Sequence, residues 1–137
     1  MTLNIGCGFD NRKYGEIDLD LNMGAKPDVC GNCEKLPFKS KTFDYIKAIH
    51  VLEHVNDIVS VMNECWRVMK PNGKMEIGVP MFPSDAAVAD PTHKRFFVPF
   101  TFSYFTVEGR LTGLEHVWEG LVLKNNGKEI VCVLKKV

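Results

Sequence analysis

The chain has 137 residues, of which 45% are hydrophobic and 25% are charged, and its 17 lysines and arginines balance its 17 aspartates and glutamates. This length suits a single globular domain over residues 1–137, and the balanced charge excludes a global field that would draw nucleic acid or an anionic membrane. No stretch approaches the roughly 18 apolar residues of a membrane span, and Met1 leads straight into a predicted strand. We therefore expect a cytoplasmic protein.

Apolar runs and turn signals along the chain predict an α/β fold. Strands are expected over residues 2–6, 15–19, 27–30, 43–49 and 74–79, and a helix is expected over 56–69, where apolar residues recur at helical spacing. Towards the end, two strand-like runs over 116–124 and 128–135 flank Asn125-Asn126-Gly127. Because Asn-Gly favours a tight turn, these two runs predict an antiparallel β-hairpin.

The connections between the first strands are short. Only Phe9 to Tyr14 separate the first two strands, whereas a parallel crossover usually needs about a dozen residues or more. Lys47 and Glu76 interrupt otherwise apolar strands, which is typical of a sheet face without a helix over it. We therefore expect a helix-poor sheet, packed on one face by the 56–69 helix. The other face is expected to be exposed or covered by a partner subunit, as in a homodimer.

The segment Leu3-Asn4-Ile5-Gly6-Cys7-Gly8 is typical of a strand that runs into a glycine turn. Such turns let the backbone approach a nucleotide-like ligand at the carboxyl edge of an α/β sheet. Glu16-Ile17-Asp18-Leu19-Asp20 follows as a second strand that ends in acids, and a carboxylate there suits the two hydroxyls of a ribose. By itself the glycine pattern fits an ordinary strand-to-turn connection equally well.

Two short motifs raise the question of a metal. Cys30 and Cys33 form a CxxC, which suits redox chemistry or half of a zinc site, but no second CxxC or histidine pair stands at finger-like spacing. His50-Val51-Leu52-Glu53-His54 spells H-x-x-E-H, the inverted zinc-peptidase motif, yet that motif needs a helix and these residues leave a predicted strand. We therefore predict no metal site, and we expect Glu53 and His54 to be structural.

The run from Asp90 to Phe97 places an acid, a histidine and two cations in a long connection after the fifth strand. His93 could remove a proton from an accepting hydroxyl or amine, and Lys94 or Arg95 could hold an anionic group. An ordered loop whose polar groups serve only the backbone is an equally good interpretation. The aromatic residues over 96–105 favour a place in the core.

The order of these segments resembles the class I S-adenosylmethionine-dependent methyltransferases over residues 3–105. The segments that carry the resemblance are Leu3–Gly8, Glu16–Asp20, Pro27–Glu34, Leu36–Phe38, Phe43–His54, Glu64–Gly73 and Asp90–Phe97. The resemblance implies a Rossmann-like methyltransferase fold with a mostly parallel sheet and a C-terminal antiparallel hairpin. It also implies S-adenosylmethionine (SAM) as cofactor and methyl transfer to an unidentified small-molecule, sugar or lipid-linked acceptor, with no nucleic acid favoured.

Matching positions in the family give the candidate site residues. The implied cofactor site consists of Asn4, Gly6, Cys7, Gly8, Asp18, Leu19, Asn32, Cys33 and His50. In this assignment the glycine turn meets the aminoacyl part of SAM, Asp18 holds the ribose, and the loop with Asn32 flanks the adenine. His50 lies near the sulfonium and, with His93, is a candidate catalytic residue.

Asn4 and Asn32 stand where the family has carboxylates. An amide can still hydrogen-bond an adenine, so Asn32 keeps part of that function. These departures leave a second hypothesis open, namely a non-catalytic relative that binds the cofactor or acts as a scaffold. A nicotinamide-dependent oxidoreductase is a third hypothesis, which the absence of a further glycine after Gly8 disfavours.

Overall fold

The chain forms one seven-stranded sheet in a computed structural model, which describes residues 1–9, 13, 15–106 and 111–137. The strands are β1 (Thr2–Ile5), β2 (Glu16–Asp20), β3 (Val29–Cys30), β4 (Phe43–Ile49), β5 (Met69–Pro80), β6 (Glu119–Asn125) and β7 (Glu129–Lys135). Their order across the sheet is β3-β2-β1-β4-β5-β7-β6. Strands β1 to β5 pair in parallel, and β7 runs antiparallel to both of its neighbours. The predicted parallel sheet with a C-terminal antiparallel hairpin is confirmed.

Helices are few in the described part of the chain. They are α1 (Ile58–Val68) and the short α2 (Asp85–Val88), with 3-10 helices at Met23–Ala25 and Pro99–Phe105. The described helices include none that is long and apolar enough to cross a membrane. Most of the connection from Phe9 to Tyr14 lies outside the described residues.

Helix α1 begins and ends close to the predicted bounds of 56–69. The Asp57 side chain accepts a hydrogen bond from the Ser60 amide at 3.1 Å and so caps the first turn. The helix then buries one apolar stripe, and Met69 passes directly into β5. The buried residues of the stripe are Val61, Met62, Cys65 and Val68.

The hydrophobic core lies on one face of the sheet. Side chains from β1, β2, β4, β5 and β7 alternate onto this face and pack with the stripe of α1. The strand residues of this core are Leu3, Ile5, Leu19, Phe43, Ile46, Ala48, Met69, Met75, Ile77, Val79, Ile130, Cys132 and Leu134. Aromatic residues from the 96–105 segment join it only in part, because Phe97, Phe102 and Phe105 are buried whereas Phe96, Phe100 and Tyr104 are exposed.

The opposite face of the sheet is polar. Lys47 on β4 donates to Glu16 on β2 at 2.9 Å, and the Tyr45 hydroxyl donates to Glu76 on β5 at 2.7 Å. These four residues, which all lie in the described part of the chain, are not members of the hydrophobic core. The predicted helix-poor sheet is confirmed, and exposure of this face or its coverage by a second subunit stays a prediction.

The parallel strands bring their carboxyl ends to one edge of the sheet. The glycine turn follows β1, the acidic end of β2 lies beside it, and the His50–His54 segment follows β4. This edge is where open α/β sheets bind ligands.

Candidate functional site

A cavity of about 420 Å³ opens at the carboxyl edge of β1, β2 and β4. Its lining comes from five places in the chain: the glycine turn, the end of β2, the loop after β3, the segment after β4 and the connection that follows β5. The lining residues are Ile5, Gly6, Gly8, Leu19, Asp20, Leu21, Gly31, Asn32, Cys33, Glu34, His50, Val51, His54, Val55, Asn56 and Lys94. Six of the nine residues predicted to bind a cofactor are among them: Gly6, Gly8, Leu19, Asn32, Cys33 and His50.

The glycine turn has a conformation that requires glycine. Gly6 and Gly8 have φ angles of +62° and +54°, in the left-handed region that side chains disfavour. A Cβ on Gly6 would also collide with Cγ2 of Val51, which follows β4. The Gly6 amide donates to the Leu19 carbonyl at 2.8 Å and thereby ties the turn to β2. The backbone is thus held close to the cavity by packing on one side and hydrogen bonding on the other.

The carboxylate at the pocket belongs to Asp20 and not to Asp18. Asp18 lies inside β2, is 3% exposed and accepts a hydrogen bond from the Asn4 amide group at 2.9 Å. Asp20, the last residue of β2, lines the cavity and accepts from the amides of Gly8 (2.9 Å) and Asn22 (2.8 Å). The structure thus places Asp20, rather than the predicted Asp18, at the cavity, because β2 extends one residue further than the predicted strand.

Asn4 and Cys7, both predicted to bind the cofactor, also lie behind the lining. Each is at most 1% exposed, and neither lines the cavity. Asn4 contacts Asp18 across the β1–β2 pair, and the Cys7 amide donates to the Leu19 carbonyl at 3.3 Å. Their contacts support the walls of the site.

The loop after β3 forms the far wall. Asn32 accepts the Glu34 amide on its side-chain oxygen at 2.9 Å, which leaves its NH₂ group as the donor that the side chain can offer. Glu34 in turn accepts the amides of Asn56 (2.7 Å) and Asp57 (3.0 Å), so this wall is fixed to the start of α1. Burial raises the pKa of the Cys33 thiol to about 11, so that Cys33 presents a neutral surface to the cavity.

His50 stands at the end of β4 with a φ angle of +55°. Its Nδ1 lies 3.7 Å from Glu53 Oε1 and its Nε2 lies 3.5 Å from Glu129 Oε1. The nearby Glu53 carboxylate, helped by the charge of Glu129, raises the pKa of His50 against the opposing effect of burial. The imidazole is half exposed and faces the cavity between two acids.

The segment around His93 folds against the residues that follow β4. The Lys94 amide donates to the Glu53 carbonyl at 2.7 Å, and the rings of His54 and His93 meet edge to face with centroids 4.8 Å apart. Arg95 donates from Nη1 to the carbonyls of Leu52 (2.6 Å) and Val55 (2.7 Å). The Arg95 guanidinium thus binds backbone carbonyls, whereas the sequence suggested that it could hold an anionic group.

Two outcomes follow for the His93 segment. Lys94 reaches the cavity, where its amino group also hydrogen-bonds Asn56. His93 does not line the cavity and lies one layer behind it, in contact with His54. The structure therefore brings the two motifs together but separates the two candidate catalytic histidines.

Several lining residues were not predicted from the sequence: Ile5, Asp20, Leu21, Gly31, Glu34, Val51, His54, Val55 and Asn56. Lys94 was predicted only as a residue that could hold an anionic group. The signal for Asp20 was present, because it ends the second acidic strand and ligands bind beyond strand ends. Asn56 and Val55 had no such signal, since they reach the cavity only through the bends that Arg95 stabilises.

Residues 3–77 match the family model of the methyltransferase domain. An uncharacterized protein of Methanocaldococcus jannaschii is 30% identical over 124 residues, which cover 80% of this chain and 54% of that protein. The ubiquinone/menaquinone biosynthesis C-methyltransferase UbiE of Rickettsia felis is 32% identical over 113 residues, which cover 82% of this chain and 43% of that enzyme. The chain thus spans about half the length of these two curated relatives.

Among solved structures, a SAM-dependent methyltransferase of Methanosarcina mazei superimposes with a TM-score of 0.72. The match covers 99% of this chain and 92% of that one, at 15% sequence identity. At that identity the likeness supports the fold.

Proposed function

Because this chain belongs to the class I SAM-dependent methyltransferase family, we propose that it binds SAM in the 420 Å³ cavity and transfers the methyl group to a small organic acceptor. The observation that carries the proposal is the joining of the glycine turn after β1 to the carboxylate of Asp20 at the end of β2. A turn that excludes a Cβ gives a ligand close access to backbone, and a carboxylate beside it suits a ribose. The two features together fit a nucleoside with a charged tail.

Asp20 is the residue we assign to the ribose. Its two oxygens each accept one backbone amide, from Gly8 and Asn22, and each keeps a lone pair for a ribose hydroxyl. The two amides also fix the orientation of the carboxylate before a ligand arrives. This preorganisation reduces the entropy that binding must overcome.

Leu19, Cys33 and Asn32 are the residues we assign to the adenine. The first two supply apolar surface on either side of the cavity, and the pKa of Cys33 keeps its thiol uncharged at neutral pH. Since the Asn32 oxygen accepts the Glu34 amide, its NH₂ group is matched to an acceptor nitrogen of the adenine ring. A carboxylate at this position would instead accept a hydrogen bond from the amino group of the adenine.

Bound SAM supplies a methyl group that its positively charged sulfur has already activated. The chain therefore has to orient donor and acceptor and to exclude water. His50 is the side chain we place nearest the acceptor, because it stands at the end of β4 and faces the cavity. Its ring can hydrogen-bond the accepting group and take a proton from it. His93 contributes from behind, through its contact with His54.

The acceptor we favour is a flat, apolar small molecule. Phe82 and Phe96 are 42% and 52% exposed, with ring centroids 5.3 Å apart, and Phe82 follows the carboxyl end of β5 at the edge that holds the cavity. Exposed aromatic pairs of this kind suit an aromatic or isoprenoid ligand. The name of the Rickettsia felis relative points in the same direction, since quinones are flat and apolar.

The test is to incubate the purified chain with SAM and a panel of quinols, phenols, sterols and sugars, and to measure S-adenosylhomocysteine by mass spectrometry. We expect turnover with at least one apolar acceptor, and we expect His50→Asn to lower the rate by a larger factor than it lowers the affinity for SAM. Cofactor binding without turnover on any acceptor would contradict catalysis and support the non-catalytic alternative. The absence of binding would contradict the cofactor assignment itself.

A further inference from the structure

Glu53, His54 and His93 form a cluster next to the cavity. One carboxylate oxygen and one ring nitrogen from each histidine lie within 4.8 Å of one another. We propose that this cluster binds a divalent transition-metal ion, with Zn²⁺ as the reference ion. The H-x-x-E-H spacing alone predicts no such site, and the cluster includes His93 from a distant loop in place of His50.

Glu53 provides the first reason. The residue is 1% exposed, and its Oε2 accepts no hydrogen bond from any described residue. Its other oxygen, Oε1, lies 3.7 Å from His50 Nδ1 and 3.8 Å from His54 Nε2, both longer than hydrogen bonds. Burial of a carboxylate oxygen without a partner is unfavourable, and a bound cation removes that penalty.

The orientation of the two imidazoles provides the second reason. His93 Nδ1 lies 2.8 Å from the Ala87 carbonyl and must donate to it. The Thr92 hydroxyl donates its only hydrogen to Asp90 at 2.7 Å, so towards His54 Nδ1, 3.1 Å away, it can only accept. Both histidines therefore carry their proton on Nδ1.

In this tautomer the Nε2 atom of each ring is the nitrogen that can bind a metal ion. The Nε2 of His54 lies 3.8 Å from Glu53 Oε1, and the Nε2 of His93 lies 3.5 Å from Asp90 Oδ2. Metal-binding histidines are commonly held this way, with the second nitrogen hydrogen-bonded to a carbonyl or to a carboxylate-linked group. Here the Ala87 carbonyl serves one ring, and Thr92 with Asp90 serves the other. The outer partners of a metal site are thus in place around the cluster.

The donor set indicates the kind of ion. Two imidazoles and one carboxylate suit Zn²⁺ and related first-row ions, and in zinc enzymes such a set leaves a fourth position for water or substrate. Ligand bonds of about 2.0–2.2 Å require the cluster to contract, which the His54 side chain, 40% exposed, can accommodate. Because His54 also lines the cavity, an ion held by the cluster would lie next to the proposed methyl-transfer site.

Metal binding can be measured without any turnover. The purified, tag-free chain is titrated with Zn²⁺ in competition with a chromophoric chelator, and the visible spectrum of the Co²⁺-loaded chain reports the coordination. We expect one ion per chain, and at least tenfold weaker binding in Glu53→Gln and in His93→Gln. His116→Gln is the matched control, because His116 stacks on Trp66 away from the cluster, and it should bind like the wild type.

Further variants separate the rival ligand sets. If His50→Gln abolishes binding while His93→Gln retains it, the H-x-x-E-H set holds the ion and the proposal is wrong. Loss of binding in Cys30→Ser would assign the metal to the CxxC and overturn it equally. Stoichiometric binding that survives both Glu53→Gln and His93→Gln, or no such binding by the wild type, would also overturn it.

Because Glu53→Gln could fail to fold, a second variant changes a residue that contacts a ligand but is not itself a ligand. Thr92→Val removes the group that orients His54 and leaves all three ligands intact, so we expect Zn²⁺ affinity to fall roughly tenfold. Zn²⁺ should raise the thermal midpoint of the wild type and His116→Gln but not that of His93→Gln. Unchanged affinity in Thr92→Val would show that the imidazole is not held for a metal.

Discussion

The amide of Gly8 donates a hydrogen bond to Asp20 Oδ2 at 2.9 Å. This contact joins the turn after β1 to the end of β2, although the two residues are twelve positions apart in the chain. It also helps to fix the orientation of the Asp20 carboxylate, which lines the cavity. The glycine turn and the acidic strand end therefore act as one unit.

Gly6→Ala should destabilise the fold more than Gly8→Ala. Both substitutions place alanine at a positive φ, which costs about 1–2 kcal/mol. Only at Gly6 does the new Cβ meet Val51, whereas at Gly8 none of the described residues lies within 4 Å of it. We expect a loss of about 2–4 kcal/mol for Gly6→Ala, because overpacking adds to the strain.

Urea unfolding monitored by tryptophan fluorescence measures both variants. Val51→Ala should recover part of the loss in the Gly6→Ala background, because it shortens the side chain that the new Cβ meets. Equal losses for Gly6→Ala and Gly8→Ala, with no recovery in the double variant, would contradict the role of this contact.

The ion pair of Glu64 and Arg67 should make stability depend on pH. Arg67 donates a hydrogen bond from Nε to Glu64 Oε1 at 2.7 Å. Hydrogen bonding to Arg67 holds the pKa of Glu64 below its ordinary value of 4.5. Glu64 also accepts the Leu36 amide at 2.7 Å. A carboxyl with a lowered pKa in the folded state stabilises that state above pH 4.5, and the contribution is lost as the pH falls through the lowered value.

Glu64→Gln should therefore lower the free energy of unfolding at pH 7 by about 1–3 kcal/mol. The difference from the wild type should shrink steadily as the pH falls below 4.5. Denaturant unfolding between pH 3 and pH 7 measures this, with the exposed Glu115→Gln as control. A difference that stays constant over the whole range would refute the ion-pair explanation.

The two cysteines of the CxxC should differ sharply in reactivity. Cys33 is buried with a pKa of about 11, whereas Cys30 is exposed. Because the thiolate is the reactive form, iodoacetamide at pH 7.5 should modify Cys30 first, and labelling of Cys33 should rise about tenfold per pH unit up to its pKa. Peptide mass spectrometry follows both sites. Equal labelling at neutral pH would contradict the burial of Cys33.

The sequence was informative where a local signal decides the structure. The apolar strand residues, the Asp57 cap and the turn at Asn125-Asn126-Gly127 act within a few residues, and most of the corresponding elements lie close to their predicted bounds. Strand β5 is an exception, because it begins at Met69 and not at residue 74. The sequence pointed to Asp18 as the carboxylate of the site, whereas Asp20 lines the cavity, and this difference has another cause. Both side chains are on the same face of β2, and only the point at which the strand ends decides which one reaches the cavity.

The contact between the His50–His54 segment and the His93 segment could not be predicted in this way. It depends on the Arg95 guanidinium and the Lys94 amide, which bind backbone carbonyls of residues 52–56 some forty positions earlier. Backbone carbonyls carry no residue identity, so no pattern in the sequence marks them as partners. Both motifs could therefore be recognised in the sequence, but the contact between them could not be predicted.

Calorimetric titration with SAM and S-adenosylhomocysteine tests the central claim most directly, on the wild type, Asp20→Asn and Asp18→Asn. We expect saturable binding by the wild type and a roughly 10–100-fold weaker affinity in Asp20→Asn, since hydrogen bonds to a charged group are lost. Asp18→Asn, if folded, should bind within about threefold of the wild type, because Asp18 contacts Asn4 behind the cavity. No saturable binding at millimolar cofactor, or equal affinity in the wild type and Asp20→Asn, would contradict the account.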